Sequence, residues 1–190
     1  MTDEQLIERI IEGDHIAFRQ LVEKYKLLVH KTCFNILRHN EDTEDIIQEV
    51  FIEAYESIRL FRRESKFSTW LYRIAINKSL NHLRKHKWKN MVNSIEFFSP
   101  DKKNSGMEIA DPNANNTPDT IDYNERAFIL QKAINSLPEN QRIAFTLCKY
   151  DELSYQEISE IMNLSYSSIE SLIHRAKMNL QKKLVDYYKN

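Results

Sequence analysis

The chain has 190 residues, of which 42% are hydrophobic and 29% charged, and its formal net charge is −1. This composition excludes a disordered tail and supports one medium or two small globular domains. The N-terminus lacks a basic region followed by an apolar core, and no apolar run has membrane-spanning length, so we expect a cytoplasmic protein with no membrane insertion. Cys33 and Cys148 lie in apolar helical patterns, which indicates buried free thiols.

The first part of the sequence predicts a series of helices. Only two glycines and four prolines occur in the chain, and no segment alternates apolar and polar residues, so we expect an all-α fold. Thr2 and Gln5 have the spacing of a capping box for a first helix that ends at Gly13. Asp14 is placed to cap a second helix, which carries a broad apolar stripe and ends near residues 38–40.

A third helix, opened by Asp42 or Thr43, is predicted to have two different faces. Its inward stripe consists of Ile47, Val50, Phe51 and Ala54. The opposite face carries Asp45, Gln48, Glu49 and Ile52. Acidic side chains beside an apolar one can dock a basic, partly apolar partner helix. Taken alone, the same pattern is also typical of a solvated acidic surface.

A strongly basic segment follows, between Phe61 and Lys89. Nine lysines and arginines stand there against one acid, Glu64, and are interleaved with aromatic residues. On a helix that begins near Ser68, one face would carry Trp70, Arg73, Asn77, Asn81 and Arg84, and the other Tyr72, Ala75, Ile76 and Leu83. Because cations neutralise phosphates and rings stack on unpaired bases, the segment predicts binding to single-stranded nucleic acid.

The loop before this helix contributes to the same prediction. We expect unpaired bases to be held around Lys66, Phe67 and Ser68 and beside Trp70. The alternative for this segment in isolation is a solvated basic helix with Trp70 in the core.

The sequence offers no catalytic constellation. His82 and His86 have the i, i+4 spacing of zinc-binding helices, but no third ligand accompanies them, so we expect phosphate or solvent contacts and no metal. There is no glycine-rich phosphate loop. We therefore predict a protein that is not an enzyme and needs no cofactor.

The composition changes at residues 93–122, which are rich in Asn, Asp, Ser and Pro and have no helical period. Such a segment cannot recover its ordering entropy by burial, which indicates a flexible acidic linker. The sequence thus predicts a first domain over residues 1–92 and a second over residues 123–190.

The second domain has the pattern of a helix-turn-helix. Pro138 begins one helix, Ser154 and Glu157 form a capping box for the next, Asn163 suits a left-handed turn, and Ser165 caps the last helix. The predicted interior consists of Ile158, Ile161, Leu164, Ile169, Leu172 and Ile173. An αα-hairpin that touches no DNA is the alternative interpretation.

In a helix-turn-helix, the first turns of the last helix enter the major groove. The candidates for contacts with base edges are Ser165, Tyr166, Ser167, Ser168, Glu170, Ser171 and His174. Phosphate contacts are expected from Arg175, Lys177, Lys182 and Lys183.

Together these motifs resemble the group 4, extracytoplasmic function (ECF) type of sigma-70 family sigma factors. The run Asp45–Phe51 is similar to region 2.2 of that family, and Phe67–Ala75 with Asn77 and Leu83–Arg84 is similar to regions 2.3 and 2.4. The start and end of region 4 are matched by Leu137–Arg142, Leu153–Ile158 and Ile173–Lys177. Motifs in this order are more specific than any one of them.

The resemblance implies particular partners for each part of the chain. Region 2.2 would dock on the β′ coiled coil of core RNA polymerase, while regions 2.3 and 2.4 would melt and read the −10 element. Region 4 would bind the −35 element and the β flap. An anti-sigma factor is a further partner that the resemblance implies.

The last helix departs from many relatives at two positions. Glu170 and Leu172 stand where a basic residue and an arginine are common. A carboxylate at Glu170 can accept a hydrogen bond from cytosine N4 but repels a nearby phosphate.

We therefore predict a promoter-specificity subunit of RNA polymerase. One alternative is a repressor or activator that uses only the helix-turn-helix, with the N-terminal helices serving dimerisation or ligand sensing. Another is a helical adaptor that binds only proteins. The acidic face of the third helix and the basic helix that carries Trp70 favour the first interpretation, because a repressor needs neither.

Overall fold

The computed structural model describes residues 1–96 and 118–189, and every regular element in these two ranges is helical. The elements are α1 (Asp3–Ile11), α2 (His15–Leu37), α3 (Asn40–Ser57), a 3₁₀ turn (Ile58–Leu60), α4 (Phe67–Glu96), α5 (Pro118–Asn135), α6 (Glu139–Lys149), α7 (Tyr155–Met162) and α8 (Tyr166–Lys189). The all-α prediction is confirmed.

Local caps fix the start of the first two helices as predicted. The Gln5 backbone N–H donates to Thr2 Oγ1 at 3.3 Å, and the Thr2 N–H donates to Gln5 Oε1 at 3.0 Å. Asp14 Oδ1 accepts from the Ile16 and Ala17 N–H groups at 2.8 and 3.1 Å. These backbone hydrogen bonds stabilise the carboxylate and lower the pKa of Asp14.

Helix α3 begins earlier than the sequence pattern predicts. The chain leaves α2 through Arg38 in a left-handed conformation, φ 57°. His39 then caps α3 in place of Asp42 or Thr43, because its Nδ1 accepts from the Asp42 N–H at 3.3 Å. An imidazole is an uncommon cap, so the usual preference for Ser, Thr, Asp and Asn misplaced the start of the helix.

Helices α1 to α4 form the N-terminal body around one apolar core, whose members include Leu21, Val29, Val50 and Leu71. Ile46 is also buried there, whereas Ile47 is only half-buried. The buried stripe of α3 is therefore rotated slightly from the predicted one.

Helices α5 to α8 form the C-terminal body, and α7 and α8 have the predicted helix-turn-helix geometry. The Ser154–Glu157 capping box is present, and Asn163 closes α7 in the left-handed conformation at φ 53°. Ile158, Ile161, Ile169 and Ile173 are buried as predicted, and Leu172 is half-buried. Leu164 differs from the prediction, since it is 37% exposed.

The two bodies pack against each other. One cluster of buried and half-buried side chains joins Ile36, Tyr72, Ile76 and Leu80 of the N-terminal body to Ile143, Leu147, Ile158 and Ile161 of the C-terminal body. Helices α4 and α5 also extend into the predicted linker from both sides, to Glu96 and from Pro118. The rest of that prediction, residues 97–117, lies outside the described residues.

Candidate nucleic-acid interface

The acidic face of α3 is exposed to solvent. Asp45, Gln48, Glu49 and Ile52 all lie on the surface, and Ile52 is 57% exposed. Lys78 of α4 reaches this face, with its Nζ 2.9 Å from Glu53 Oε2 and 3.5 Å from Glu49 Oε2. The hydrogen bond to Glu53 is the main reason that the pKa of Lys78 is raised. One side of the face is thus partly neutralised from within the chain.

An aromatic cluster anchors the start of α4. Phe67 is 4% exposed, and its ring centroid lies 5.3 Å from that of Tyr25, 5.6 Å from Phe61 and 5.4 Å from Trp70. Phe67 is thus largely buried in this cluster although it also lines the cavity beside Lys66, and its contact with bases stays a prediction. Phe67 supports the half-buried Trp70, which also contacts Phe61 at 5.3 Å between centroids.

A cavity of about 470 Å³ lies beside the loop that precedes α4. Its lining includes Tyr25, Phe61, Arg63, Lys66 and Ser68, while Asp3 and Glu4 lie on its wall from α1. The cavity volume falls within the range of small-molecule pockets, and its cations and rings suit an unpaired nucleotide.

The residues of the basic face of α4 fall into two groups: some are accessible to solvent, and others contact the C-terminal body. Lys66, Asn77 and Asn81 are exposed, and Ser68 and Trp70 are half-buried. Arg73 and Arg84, by contrast, bind groups of the C-terminal body. Arg73 Nη2 donates to the Glu160 carbonyl oxygen at 2.6 Å, and Arg84 pairs with Glu139, with Nη2 2.5 Å from Oε1.

The predicted DNA face of α8 is open. The exposed side chains are those of Ser165, Tyr166, Ser167, Glu170, Ser171, His174, Arg175 and Lys177, and Ser168 is half-buried. Ser165 caps the helix, since its Oγ accepts from the Ser168 N–H at 3.3 Å. A recess of about 320 Å³ beside the first turns is lined in part by Asn140, Ser167, Ser171 and Arg175. This face can enter a groove without rearrangement of its helix.

His82 and His86, which have the spacing of a zinc-binding helix, lie on the same side of α4, and His82 lies near Asp42. His82 Nε2 is 3.3 Å from Asp42 Oδ1, and the rings of His82 and His86 have centroids 6.3 Å apart. Within residues 1–96 and 118–189, no group of three His, Cys, Asp or Glu side chains is arranged to hold a metal ion.

Sequence reasoning missed the residues that join the two bodies. Asn35 Nδ2 donates to Asp151 Oδ1 at 3.3 Å, and the Arg38 guanidinium lies 4.9 Å from the centroid of the Tyr150 ring. Burial raises the pKa of Asp151 to about 6. Helical periodicity carries no signal for contacts between residues so distant in sequence.

In the part of the chain that the structure describes, no helix is both long enough and apolar enough to span a bilayer.

Comparisons with known proteins match both halves of the chain. The family description Sigma-70 region 2 matches residues 21–89, and Sigma-70, region 4 matches residues 127–180. The ECF RNA polymerase sigma-E factor of Escherichia coli (strain K12) is 34% identical over 186 residues, which are 97% of this chain and 95% of that protein. The sigma-E factor of Haemophilus influenzae is 35% identical over 185 residues, 97% of this chain and 96% of that protein.

Solved structures share the fold across most of the chain. CnrH, in complex with the cytosolic domain of CnrY, matches with a TM-score of 0.67 and 20% identity over 97% of both chains. The sigma factor RpoE in complex with the anti-sigma factor NepR, from Bartonella quintana, matches with a TM-score of 0.61 and 21% identity over 88% of this chain and 96% of RpoE.

Proposed function

The chain belongs to the sigma-70 family of RNA polymerase sigma factors, in its extracytoplasmic function branch. On this premise we propose which of its surfaces bind core polymerase and which bind promoter DNA during initiation. The predicted first domain, residues 1–92 of the N-terminal body, binds core polymerase and the −10 element. The predicted second domain, residues 123–190, binds the −35 element and the β flap. Sigma factors are non-catalytic initiation factors, and we assign this chain no reaction and a cytoplasmic location.

Core binding is assigned to the face of α3 formed by Asp45, Gln48, Glu49 and Ile52. Its exposed carboxylates and apolar side chain suit the β′ coiled coil, since complementary charge steers encounter and a desolvated apolar contact slows dissociation. An anti-sigma factor is a natural competitor for the same exposed surfaces.

Promoter recognition is assigned to two distinct surfaces, one on each body, and their presence in one chain is the observation that carries the proposal. One is the cavity beside Lys66 with the basic face of α4, and the other is the exposed first half of α8. We expect each body alone to bind promoter DNA weakly. Docking both on one polymerase makes the second contact effectively intramolecular, so weak sites combine into a specific one.

Strand opening has a free-energy cost that protein contacts must offset, because unstacking costs a few kcal/mol per base step. Rings and cations around the cavity beside Lys66 can offset this cost by holding unpaired non-template bases. The Phe67 ring contributes indirectly by fixing Trp70.

The test is transcription by purified core polymerase with this chain on a library of random upstream sequences. We expect the active templates to share two conserved blocks at a fixed separation, near the −35 and −10 positions. A single conserved block, or selection that does not depend on core polymerase, would instead favour a stand-alone helix-turn-helix regulator.

A further inference from the structure

Two tyrosines occupy equivalent places in the helix-turn-helix. Tyr155 is the first residue of α7, and Tyr166 is the first residue of α8. In each helix the hydroxyl of the preceding serine, Ser154 or Ser165, accepts a backbone N–H of the first turn at 3.3 Å. These caps fix the backbone that carries each ring.

The two tyrosine rings contact each other. Their centroids are 5.9 Å apart and their planes are inclined by 49°, a tilted arrangement within the range of roughly 4.5–7 Å that aromatic pairs favour. Tyr155 is half-buried and packs against the apolar cluster that includes Ile158 and Ile161, whereas Tyr166 is 52% exposed on the predicted DNA face. Tyr155 therefore supports Tyr166 from the protein side.

Glu170 belongs to the same part of the surface. It lies one helical turn after Tyr166 on the same face of α8, and its side chain is exposed. Burial is the main reason that the pKa of Tyr155 is raised, and Tyr166 and Glu170 are among the groups that contribute to the shift. The three side chains thus lie near one another at the end of α8 that enters the major groove.

Tyr166 and Glu170 present different chemistry to the edges of the bases. An aromatic ring can make an apolar contact with the thymine methyl group, and a carboxylate can accept from the N4 amino group of cytosine. Residues four apart on a helix are separated by about 6 Å along its axis, and successive base pairs by about 3.4 Å, so the two side chains can reach base pairs about two apart.

We propose that Tyr155 is a positioning residue for −35 recognition: it holds the Tyr166 ring against a thymine methyl group about two base pairs from the cytosine that Glu170 reads. This inference rests on the proposed function, because it takes α8 as the helix that binds the −35 element. Without the Tyr155 ring, the exposed Tyr166 side chain would be ordered only when DNA binds, and that ordering has an entropic cost. Tyr155 therefore favours thymine at one position although it does not itself touch DNA.

The test selects duplex DNA with a randomised segment for binding to the full-length chain, with and without core polymerase. Tyr155→Leu and Tyr155→Met keep an apolar side chain against the core but remove the ring, and Tyr155→Phe keeps the ring. We expect wild type and Tyr155→Phe to enrich thymine near a cytosine. Tyr155→Leu and Tyr155→Met should reduce the thymine preference about threefold, a typical coupling between side chains in contact, and leave the cytosine preference unchanged.

Tyr166→Ala is the matched comparison, because it removes the ring that reads thymine and leaves Tyr155 in place. It should lose the thymine preference, and the addition of Tyr155→Leu should then change the preference no further, since Tyr155 acts only through Tyr166. Circular dichroism melts of all variants accompany the selection.

Three outcomes overturn the inference. One is a wild-type chain that shows no thymine preference of the kind that Tyr166→Ala removes. Another is full retention of that preference in Tyr155→Leu and Tyr155→Met. The third is a loss of preference at every position alike in these two variants, which would make Tyr155 a core residue only. If the Tyr155 effect is found without core polymerase, yet core polymerase supplied with the chain initiates at no defined site, the proposed function fails while the role of Tyr155 in reading DNA stands.

Discussion

Arg84 of α4 and Glu139 of α6 form a two-point ion pair across 55 positions of sequence. Exposed ion pairs contribute little to stability, typically 0 to about 1 kcal/mol. The pair matters more because it holds the Arg84 side chain against the C-terminal body. A residue assigned to promoter binding is thus engaged by another part of the same chain.

The acidic face of α3 is expected to control polymerase binding. The double variant Asp45→Lys with Glu49→Lys should weaken affinity for core polymerase about tenfold or more, because opposite charges at the interface become like charges. Helicity and unfolding temperature should change little, since both residues are exposed. The measurement is a fluorescence anisotropy titration with core enzyme.

The control for that variant is Glu12→Lys with Glu23→Lys, which makes the same net charge change at two exposed positions, one just after α1 and one on α2. Equal affinities of the two double variants at moderate salt would contradict the assignment of the α3 face.

Trp70 and Asn77 are expected to act in strand opening. The variant Trp70→Ala with Asn77→Ala should reduce open complexes several-fold more than closed complexes, because base capture is needed only after melting. Permanganate footprinting compares the reactivity of melted thymines with total promoter occupancy. Since Trp70 packs on Phe61 and Phe67, a circular dichroism melt must accompany the footprint. Footprints equal to wild type would argue against base capture here.

Substitutions on the exposed face of α8 should distinguish a residue that contributes affinity for any DNA sequence from one that reads a particular base. Arg175→Ala is expected to weaken binding to all −35 sequences alike and to reduce the slope of log affinity against log salt by about 1, the signature of one lost phosphate contact. Glu170→Gln should instead change the preferred base at one position, because a carboxylate can accept from cytosine N4. A Glu170→Gln chain that keeps the wild-type sequence preference in a selection experiment would remove Glu170 from the set of base-reading residues.

Asp151 is expected to make the contact between the bodies depend on pH. Burial raises its pKa from the ordinary 3.8 to about 6. In this window the closed form, in which the two bodies are packed together, therefore binds more protons than the open form, in which they are apart. The closed form therefore gains stability as the pH falls from about 6 towards 4 and loses it as the pH rises through 6. The groups that face Asp151 are Asn35, Thr32 and the Lys31 cation on α2 and the Tyr72 phenol on α4.

Scattering across this pH range checks the expectation. Wild type should become more compact as the pH falls, and Asp151→Asn should show less of this change. The two proteins differ at this one position, so the difference between the two curves isolates Asp151. Superimposable curves would show that Asp151 does not control the contact.

The sequence predicts most of the local structure, because caps and apolar periodicity act over a few residues. The Thr2–Gln5 and Ser154–Glu157 capping boxes and the left-handed Asn163 are all present. The errors arise where a side chain has an unusual role. His39 caps α3 with an imidazole nitrogen, and Leu164, a predicted interior residue of the helix-turn-helix, is 37% exposed in the turn.

The arrangement of the two bodies could not be predicted in the same way. The contact between Asn35 and Asp151 spans 116 positions, and neither residue departs from what an exposed helix or turn normally carries. The contact forms because the surfaces of the two folded bodies are complementary, and complementarity is a property of tertiary packing and not of local sequence pattern.

The central claim is that this chain gives core polymerase its start sites. The most direct measurement is run-off transcription by purified core enzyme on a library template, with and without the chain, with the 5′ ends mapped. We predict defined start sites only when the chain is present, each downstream of the same two sequence blocks. A chain that binds core polymerase but leaves initiation random, or that does not bind it at all, would contradict the account.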